Sequence, residues 1–318
     1  MNSPILIAGP TAVGKSEIAL GLAELLGGEI ISADSMQVYR GLDVGTAKPS
    51  AAERARIPHH LIDICDLTDS FDAAQFARLA KQAVAEIQGR GRVPILCGGT
   101  GLYFKAFLEG VGAAPPADPA LRAELERLPL EALLAELQAR DPVTHERIDR
   151  QNPRRVVRAV EVIRLTGKPF SEQRTPWDSP SGPRGTPNPG FIGLLRSNSD
   201  LQERINVRVA AMFRGGLVAE TERLLQHGLA ENPTAMQAIG YRQVVEYLAR
   251  DARTPAALAE TVELVKIRTR QYAKRQLTWF RRHGNPTWIV LKPGESLRAL
   301  AEGLALKFRS LSETGSMK

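Results

Sequence analysis

Near the amino terminus, Gly9 is followed after four residues by Gly14-Lys15-Ser16, between an apolar stretch (Ile5 to Ala8) and an amphipathic one (Glu17 to Leu26). This G-x-x-x-x-G-K-S spacing constrains the fold more than any other feature of the chain. It describes a strand that runs through a glycine-rich turn straight into a helix, so that the turn amides and the helix amino terminus converge on an anion. The segment predicts a strand over Ile5–Ala8, a helix over Ser16–Leu26, and a diphosphate cradle made of Gly9, Pro10, Thr11, Ala12, Val13, Gly14, Lys15 and Ser16. Lys15 supplies a mobile positive charge and Ser16 a hydroxyl for Mg²⁺. Taken alone, the loop points to ATP or GTP and most often to a kinase.

Strand and helix signals alternate through the first 110 residues. Glu29–Ala33 reads as a second strand, His60–Ile64 as a third feeding a helix over Ala73–Gln88, and Val93–Cys97 as a fourth leading into Gly98-Gly99-Thr100-Gly101. Such alternation marks βαβ units, giving an α/β fold with a P-loop NTPase-like parallel sheet flanked by helices. Ligands on such sheets bind beyond the carboxyl ends of the strands, where the phosphate loop, Asp34-Ser35-Met36-Gln37 and the Gly98–Gly101 turn all fall. Composition changes at Ala113–Ala120 (AAPPADPA), after which leucines recur at helical spacing. A mainly helical insertion is therefore expected over residues 113–190, with the core domain formed by 1–112 and 191–318.

Within the insertion, Asn152 is the expected N-cap of a helix that starts at Pro153 and stops at Gly167. Val156, Val160 and Ile163 share one face of it, leaving Arg154, Arg158 and Glu161 on another with the arginines directed away from the core. Arg174–Gly190, rich in Pro and Gly, reads as an irregular connection. Phe191–Leu195 reads as a strand rejoining the sheet, and Asp200 with Glu203 as a capping pair opening a long helix. Thr287–Leu291 is a further strand.

No apolar run approaches the length of a membrane span, and the amino terminus has no basic export region, so a soluble, cytoplasmic protein is expected; a monomer is expected as well. The two cysteines, Cys65 and Cys97, form no C-x-x-C pair, which argues against a disulfide framework or a zinc site. Lysine and arginine total 42 against 35 acidic residues, a net charge of +7. That surplus favours a polyanionic partner. It concentrates in Lys266–Arg282, with seven basic residues, no acidic one and interleaved Tyr272, Trp279 and Phe280, and in the cluster Arg150, Arg154, Arg155 and Arg158.

At the strand ends, Asp34 is able to coordinate a metal, act as a general base or cap its own loop. Thr100 is either a turn residue or a hydroxyl lining the site, with its glycines letting a ligand approach the backbone. His59 and His60 lack metal-ligand spacing and are expected to order the structure.

Eight stretches in order, GPTAVGKS, DSMQVYRGLDVGTAKP, IPHHLID, GGTGLY, NPRRVVRAVEV, ERINVRVAAM, AIGYRQ and RTRQYAKRQLTWFRR, resemble the bacterial tRNA dimethylallyltransferases of the IPP transferase family from Ile5 to about Arg282. The resemblance implies transfer of a dimethylallyl group from dimethylallyl diphosphate to N6 of the adenosine on the 3′ side of the anticodon, with tRNA as partner and Mg²⁺ as cofactor. It implies that the loop, with Arg204 and Arg208, holds a prenyl diphosphate, that Asp34 is the base and that Thr100 sits at the catalytic centre. Asp34, Ser35, Met36 and Gln37 would meet the tRNA, with Gln37 reading adenine. Further tRNA contacts map onto Arg122, onto Arg154, Arg155, Val156, Val157 and Arg158, and onto Gln237, Ala238, Ile239, Gly240, Tyr241 and Arg242. The loop alone leaves open a nucleoside or metabolite kinase, or an RNA-binding ATPase.

Overall fold

The computed structural model describes residues 3–112, 114–173 and 190–315, with side chains to residue 310. Chain contacts divide it into two compact units, Met1–Phe107 with Arg184–Lys318, and Leu108–Pro183. The first unit contains β1 (Ile5–Ala8), α1 (Lys15–Leu26), β2 (Gly28–Ala33), α2 (Ala51–Arg56), β3 (His59–His60), α3 (Ala73–Gly89) and β4 (Val93–Gly98). Helix α4 (Gly101–Glu109) follows β4 and runs up to the second unit, which holds α5 (Pro119–Leu125), α6 (Leu130–Arg140), α7 (Pro142–Arg147), α8 (Pro153–Thr166) and α9 (Phe170–Gln173). The first unit resumes with β5 (Phe191–Arg196), α10 (Asn198–Arg214), α11 (Leu217–Leu225), α12 (Tyr241–Leu248), α13 (Pro255–Arg282), β6 (Thr287–Leu291) and α14 (Leu297–Gly315).

All strand pairings between these elements are parallel, in the order β3-β2-β4-β1-β5-β6. Strand β1 lies inside the sheet, so each residue of its short Ile-Leu-Ile-Ala run is buried on one face or the other. One apolar cluster joins β1 to α1 and α14 through Ile5, Ile18, Leu22, Ala301 and Phe308. The opposite face packs Leu6, Phe76, Phe104 and Phe280. Register sets the functional edge: Ala8 pairs with Gly98, and Gly98 pairs with Ala33. The segments that follow, beginning at Gly9, Asp34 and Gly99, therefore leave the sheet side by side.

Several sequence expectations need correction. The strand expected over His60–Ile64 is only His59–His60, because the chain turns at once through left-handed Leu61 (φ 61°) and Asp63 (φ 56°). The long helix after β5 starts at Asn198 rather than at Asp200, and its cap is Ser197, whose hydroxyl accepts from the Asp200 amide. The irregular stretch Arg174–Gly190 lies, but for Gly190, outside the described residues.

In the second unit α8 follows its sequence signals: the Asn152 side chain accepts from Arg155 N, Pro153 opens the helix and Gly167 closes it at φ 72°. Val156, Val160 and Ile163 enter the core with Leu125, Leu133 and Leu137. The other face departs from expectation, since Glu161 is fully buried. Its carboxylate accepts from Arg122 (2.7 Å), from Arg158 (2.7 Å) and from the Asp118 amide (3.0 Å). Arg158 also donates to the Pro115 carbonyl, so its guanidinium is tied to the insertion itself.

Candidate active site

The phosphate loop is held by its carbonyls. Lys15 Nζ donates to Gly9 O (3.0 Å) and Pro10 O (2.8 Å), Arg204 Nε to Ala12 O (2.9 Å) and Arg196 Nε to Val13 O (2.9 Å). With these carbonyls engaged by cations, Ala12 (φ 64°) and Gly14 (φ 109°) take left-handed conformations, and the first-turn amides of α1 lack helical acceptors. This is an anion cradle. It opens on a cavity of about 960 Å³ lined by Gly14, Lys15, Ser16, Arg204, Val207 and Arg208, among others. Burial pushes the Lys15 ammonium down to about 8, with Arg208 pushing the same way and Cys97 and Asp34 opposing.

Arg208 adds a poised cation. One of its terminal nitrogens donates to Thr46 O (3.2 Å), while its buried Nε has no hydrogen-bond partner among the described residues. Burial lowers its pKa and the Asp34 carboxylate opposes the shift. A buried donor without an acceptor is costly unless a ligand supplies one. Lys15 and Arg208, both within reach of the Asp34 charge, define an electropositive floor beside a carboxylate.

Asp34 is half-buried and follows directly on β2; its Oδ1 accepts from Met36 N (2.9 Å). Thr100 lies alongside, its hydroxyl accepting from Ser35 N (3.1 Å) and donating to Ser35 Oγ (3.4 Å). The turn of Asp34 and the turn of Thr100 are thus joined at Ser35. Gln37 accepts from Ser32 Oγ (2.8 Å) and donates to Thr46 O (3.3 Å), so its amide is engaged within the protein. The glycines round Thr100 serve packing rather than open approach: a Cβ would lie 2.1 Å from Ala33 O at Gly98, 2.1 Å from Gln276 Nε2 at Gly99 and 2.2 Å from the Trp279 ring at Gly101.

The family model described as IPP transferase matches residues 37–283, more than half of the chain. The chain belongs to the IPP transferase family. The tRNA dimethylallyltransferase of Halorhodospira halophila is 49% identical over 290 residues, covering 88% of this chain and 91% of the relative. That of Geobacillus kaustophilus is 42% identical, covering 94% of each. Among solved structures, the full-length tRNA isopentenylpyrophosphate transferase of Bacillus halodurans matches with 38% identity, a TM-score of 0.67, and coverage of 98% of this chain and 100% of that one. A eukaryotic dimethylallyltransferase acting on tRNA matches at 29% identity with a TM-score of 0.72, covering 90% of this chain and 73% of that one. The P-loop NTPase-like parallel sheet expected from the sequence is present, and kinase and ATPase readings are not favoured.

Other expected site residues lie where their side chains have varied access. Val156 and Val157 are buried in the insertion core, and Ala238 and Tyr241 are buried in the first unit. Of the same stretches, Arg154, Arg155, Gln237 and Arg242 are exposed, and Arg242 pairs with Glu246. Tyr241 instead donates to the buried Glu220 (2.6 Å), which also accepts from the Asp43 and Val44 amides and so fixes the loop carrying Thr46. His59 and His60 are structural, bonded to Ile57 O and to Glu29. No single-residue signal in the sequence marks Gln276 of α13, which reaches the site together with Tyr272 of the same basic run. Burial, then the Asp34 charge, raises the Tyr272 phenol, against hydrogen bonds with Thr100 and Gln276. Among the described residues no helix is long and apolar enough to cross a membrane, and no three His, Cys, Asp or Glu side chains converge as a metal site.

Proposed function

We propose that the chain transfers a dimethylallyl group from dimethylallyl diphosphate to N6 of the adenosine 3′-adjacent to the anticodon of tRNA, releasing diphosphate. The observation that carries this reading is the alignment of three turns at the strand ends, which sets an anion cradle beside a carboxylate and a hydroxyl. A phosphate loop recognises diphosphate oxygens and has no direct means of identifying what they carry. The cradle is therefore a leaving-group clamp: as the allylic C–O bond breaks, negative charge grows on the diphosphate, and the loop amides, Lys15, Arg204 and Arg208 stabilise it.

The acceptor is a weakly nucleophilic aryl amine whose N–H becomes strongly acidic once the new C–N bond forms. Asp34 takes that proton, its carboxylate held by the Met36 amide. Thr100 bridges amine and diphosphate by turning its hydroxyl from Ser35 towards the substrates. Mg²⁺ suits this donor set, because the exposed Ser16 hydroxyl and the diphosphate oxygens satisfy an ion that keeps several waters and needs no protein cage. When bound it neutralises charge on the departing diphosphate. The RNA is gripped through its phosphates by Arg122, Arg154, Arg155, Arg158 and Arg242, with Gln237 and the Asp34–Gln37 turn near the base. Reading adenine with Gln37 requires its amide to leave Ser32 and Thr46. The protein works as a cytoplasmic monomer.

Incubation with unmodified tRNA and either dimethylallyl diphosphate or ATP, followed by mass analysis of the digested nucleosides, tests the reading. Prenylated adenosine from the first donor is expected; ADP without a nucleoside mass change would sink it.

A further inference from the structure

One side chain ties the two halves of the site together. Gln276, buried on α13, accepts from the Thr11 amide of the phosphate loop through Oε1 (2.8 Å) and donates from Nε2 to the carbonyl of Gly99 (2.8 Å), the residue before Thr100. A carboxamide serves both partners at once, since one is a donor and the other an acceptor. Thr11 and Gln276 are 265 positions apart and Gly99 and Gln276 are 177 apart, so no local geometry imposes the pairing. The packing is tight enough to dictate the neighbour: a Cβ on residue 99 would fall 2.1 Å from Nε2. On the same face of α13, Tyr272 reaches Thr100 and Trp279 closes over Gly101.

We propose that Gln276 is a positioning residue for the transfer, setting the spacing between the diphosphate cradle and the Thr100–Asp34 pair that receives the amine. This rests on the reading of the site given above. In a displacement reaction the distance between leaving group and nucleophile is the quantity most sensitive to small shifts, and a misplacement of about 1 Å costs on the order of 100-fold in rate. The phosphate loop is otherwise held by Lys15, Arg196 and Arg204, and the Thr100 turn by Ala33 and Ser35. Gln276 bonds to both and so couples them in one reaction geometry.

The test compares Gln276→Met, which keeps volume and loses both bonds, with Gln276→Glu, which can still accept from Thr11 but sets an acceptor against Gly99 O. Single-turnover rates are measured well below each Tm, with the competent fraction counted by tRNA binding. Gln276→Met is expected to slow transfer about 30- to 100-fold, with tRNA Kd and the KM for the allylic diphosphate within about threefold of wild type. Gln276→Glu is expected to recover rate as pH falls and its carboxyl gains the proton needed to donate to Gly99, a trend absent from wild type. Gly99→Ala is expected to slow the wild type but add nothing in a Gln276→Ala background. A wild-type rate per competent enzyme in Gln276→Met overturns the proposal, as does a loss confined to Tm. Asp34→Asn run in the same assay separates the two levels: an inactive Asp34→Asn beside a fully active Gln276→Met ends only the positioning role, whereas a fully active Asp34→Asn ends the reading of the site.

Discussion

The phosphate loop and the arginine cluster of the helical insertion are both rich in cations, and they hold their charge in opposite ways. At the loop, Lys15 and Arg204 donate to backbone carbonyls, and the Nε of Arg208 has no acceptor among the described residues. In the insertion, Arg122 and Arg158 both donate to the fully buried carboxylate of Glu161. A cation bonded to a carbonyl keeps its net charge for an incoming anion; one bonded to a carboxylate has spent part of it. The loop is built to receive negative charge, whereas the insertion uses much of its charge to hold itself together.

The contrast is broken most decisively by removing one carboxylate from each region. Asp34→Asn keeps the shape of the turn and removes the proposed base, so kcat should fall about 10³-fold, within the range for a general base, while tRNA Kd stays within about twofold. Single-turnover prenylation and a filter-binding titration measure the two; a large rise in Kd at unchanged kcat would move Asp34 from chemistry to binding. Glu161→Ala should do the reverse. Breaking a buried ion pair from one side costs about 3 kcal/mol, which denaturant titration followed through the insertion would report. Prenylation per folded molecule should then fall through weaker tRNA binding, with the bound-state rate kept.

Much of this architecture could be read from the residues, and the parts that could not share a cause. The loop spacing specified β1, the turn and α1, and the Asn152, Pro153 and Gly167 signals specified α8 to the residue, because caps and positive-φ stops are local chemistry. Asp34 and Thr100 could be placed at strand ends because the sheet is parallel. Helical periodicity put Glu161 on the polar face, yet it lies inside, since its partners Arg122 and Asp118 come from 39 and 43 residues away. The glycines of GGTG were readable as glycines, but what crowds Gly99 and Gly101, the Gln276 and Trp279 side chains of α13, was not. Partner choice across long sequence separations is a tertiary fact, and periodicity carries no record of it.

The carbonyl-held loop should also show itself in pH dependence. With Lys15 lowered to about 8 by burial, the free protein loses that proton as pH rises past 8. Bound diphosphate favours the ammonium and raises its pKa, so above pH 8 binding must take up a proton. Diphosphate affinity should be flat below pH 8 and then fall about tenfold per pH unit until the bound-state pKa is reached. Competition of inorganic diphosphate against the allylic donor between pH 6 and 10, in wild type and in Lys15→Ala, measures this, the ligand's own titration being common to both. Lys15→Ala should bind more weakly and lack the fall above pH 8 that the ammonium adds; profiles of the same shape for both proteins would place the ammonium outside the anion site.

The smallest expected effect sharpens the comparison within the insertion itself. Arg155 is exposed and its guanidinium is not tied to Glu161, whereas Arg158, one turn along the same helix, is bound to Glu161 and to Pro115. If each meets one RNA phosphate, either alanine variant flattens the log–log salt dependence of tRNA binding by roughly one unit. The two should still differ, because a guanidinium already paired with a carboxylate gains less from a phosphate and must partly leave its partner to reach it. Arg155→Ala should therefore lower the slope with unfolding unchanged. Arg158→Ala should lower it less and reduce the insertion's stability as well, leaving Arg122 as the remaining counter-charge on Glu161. Equal slopes and equal stabilities for the two variants would mean that the Glu161 pairing does not discount a cation, and the contrast drawn between the two regions would fail at its weakest joint.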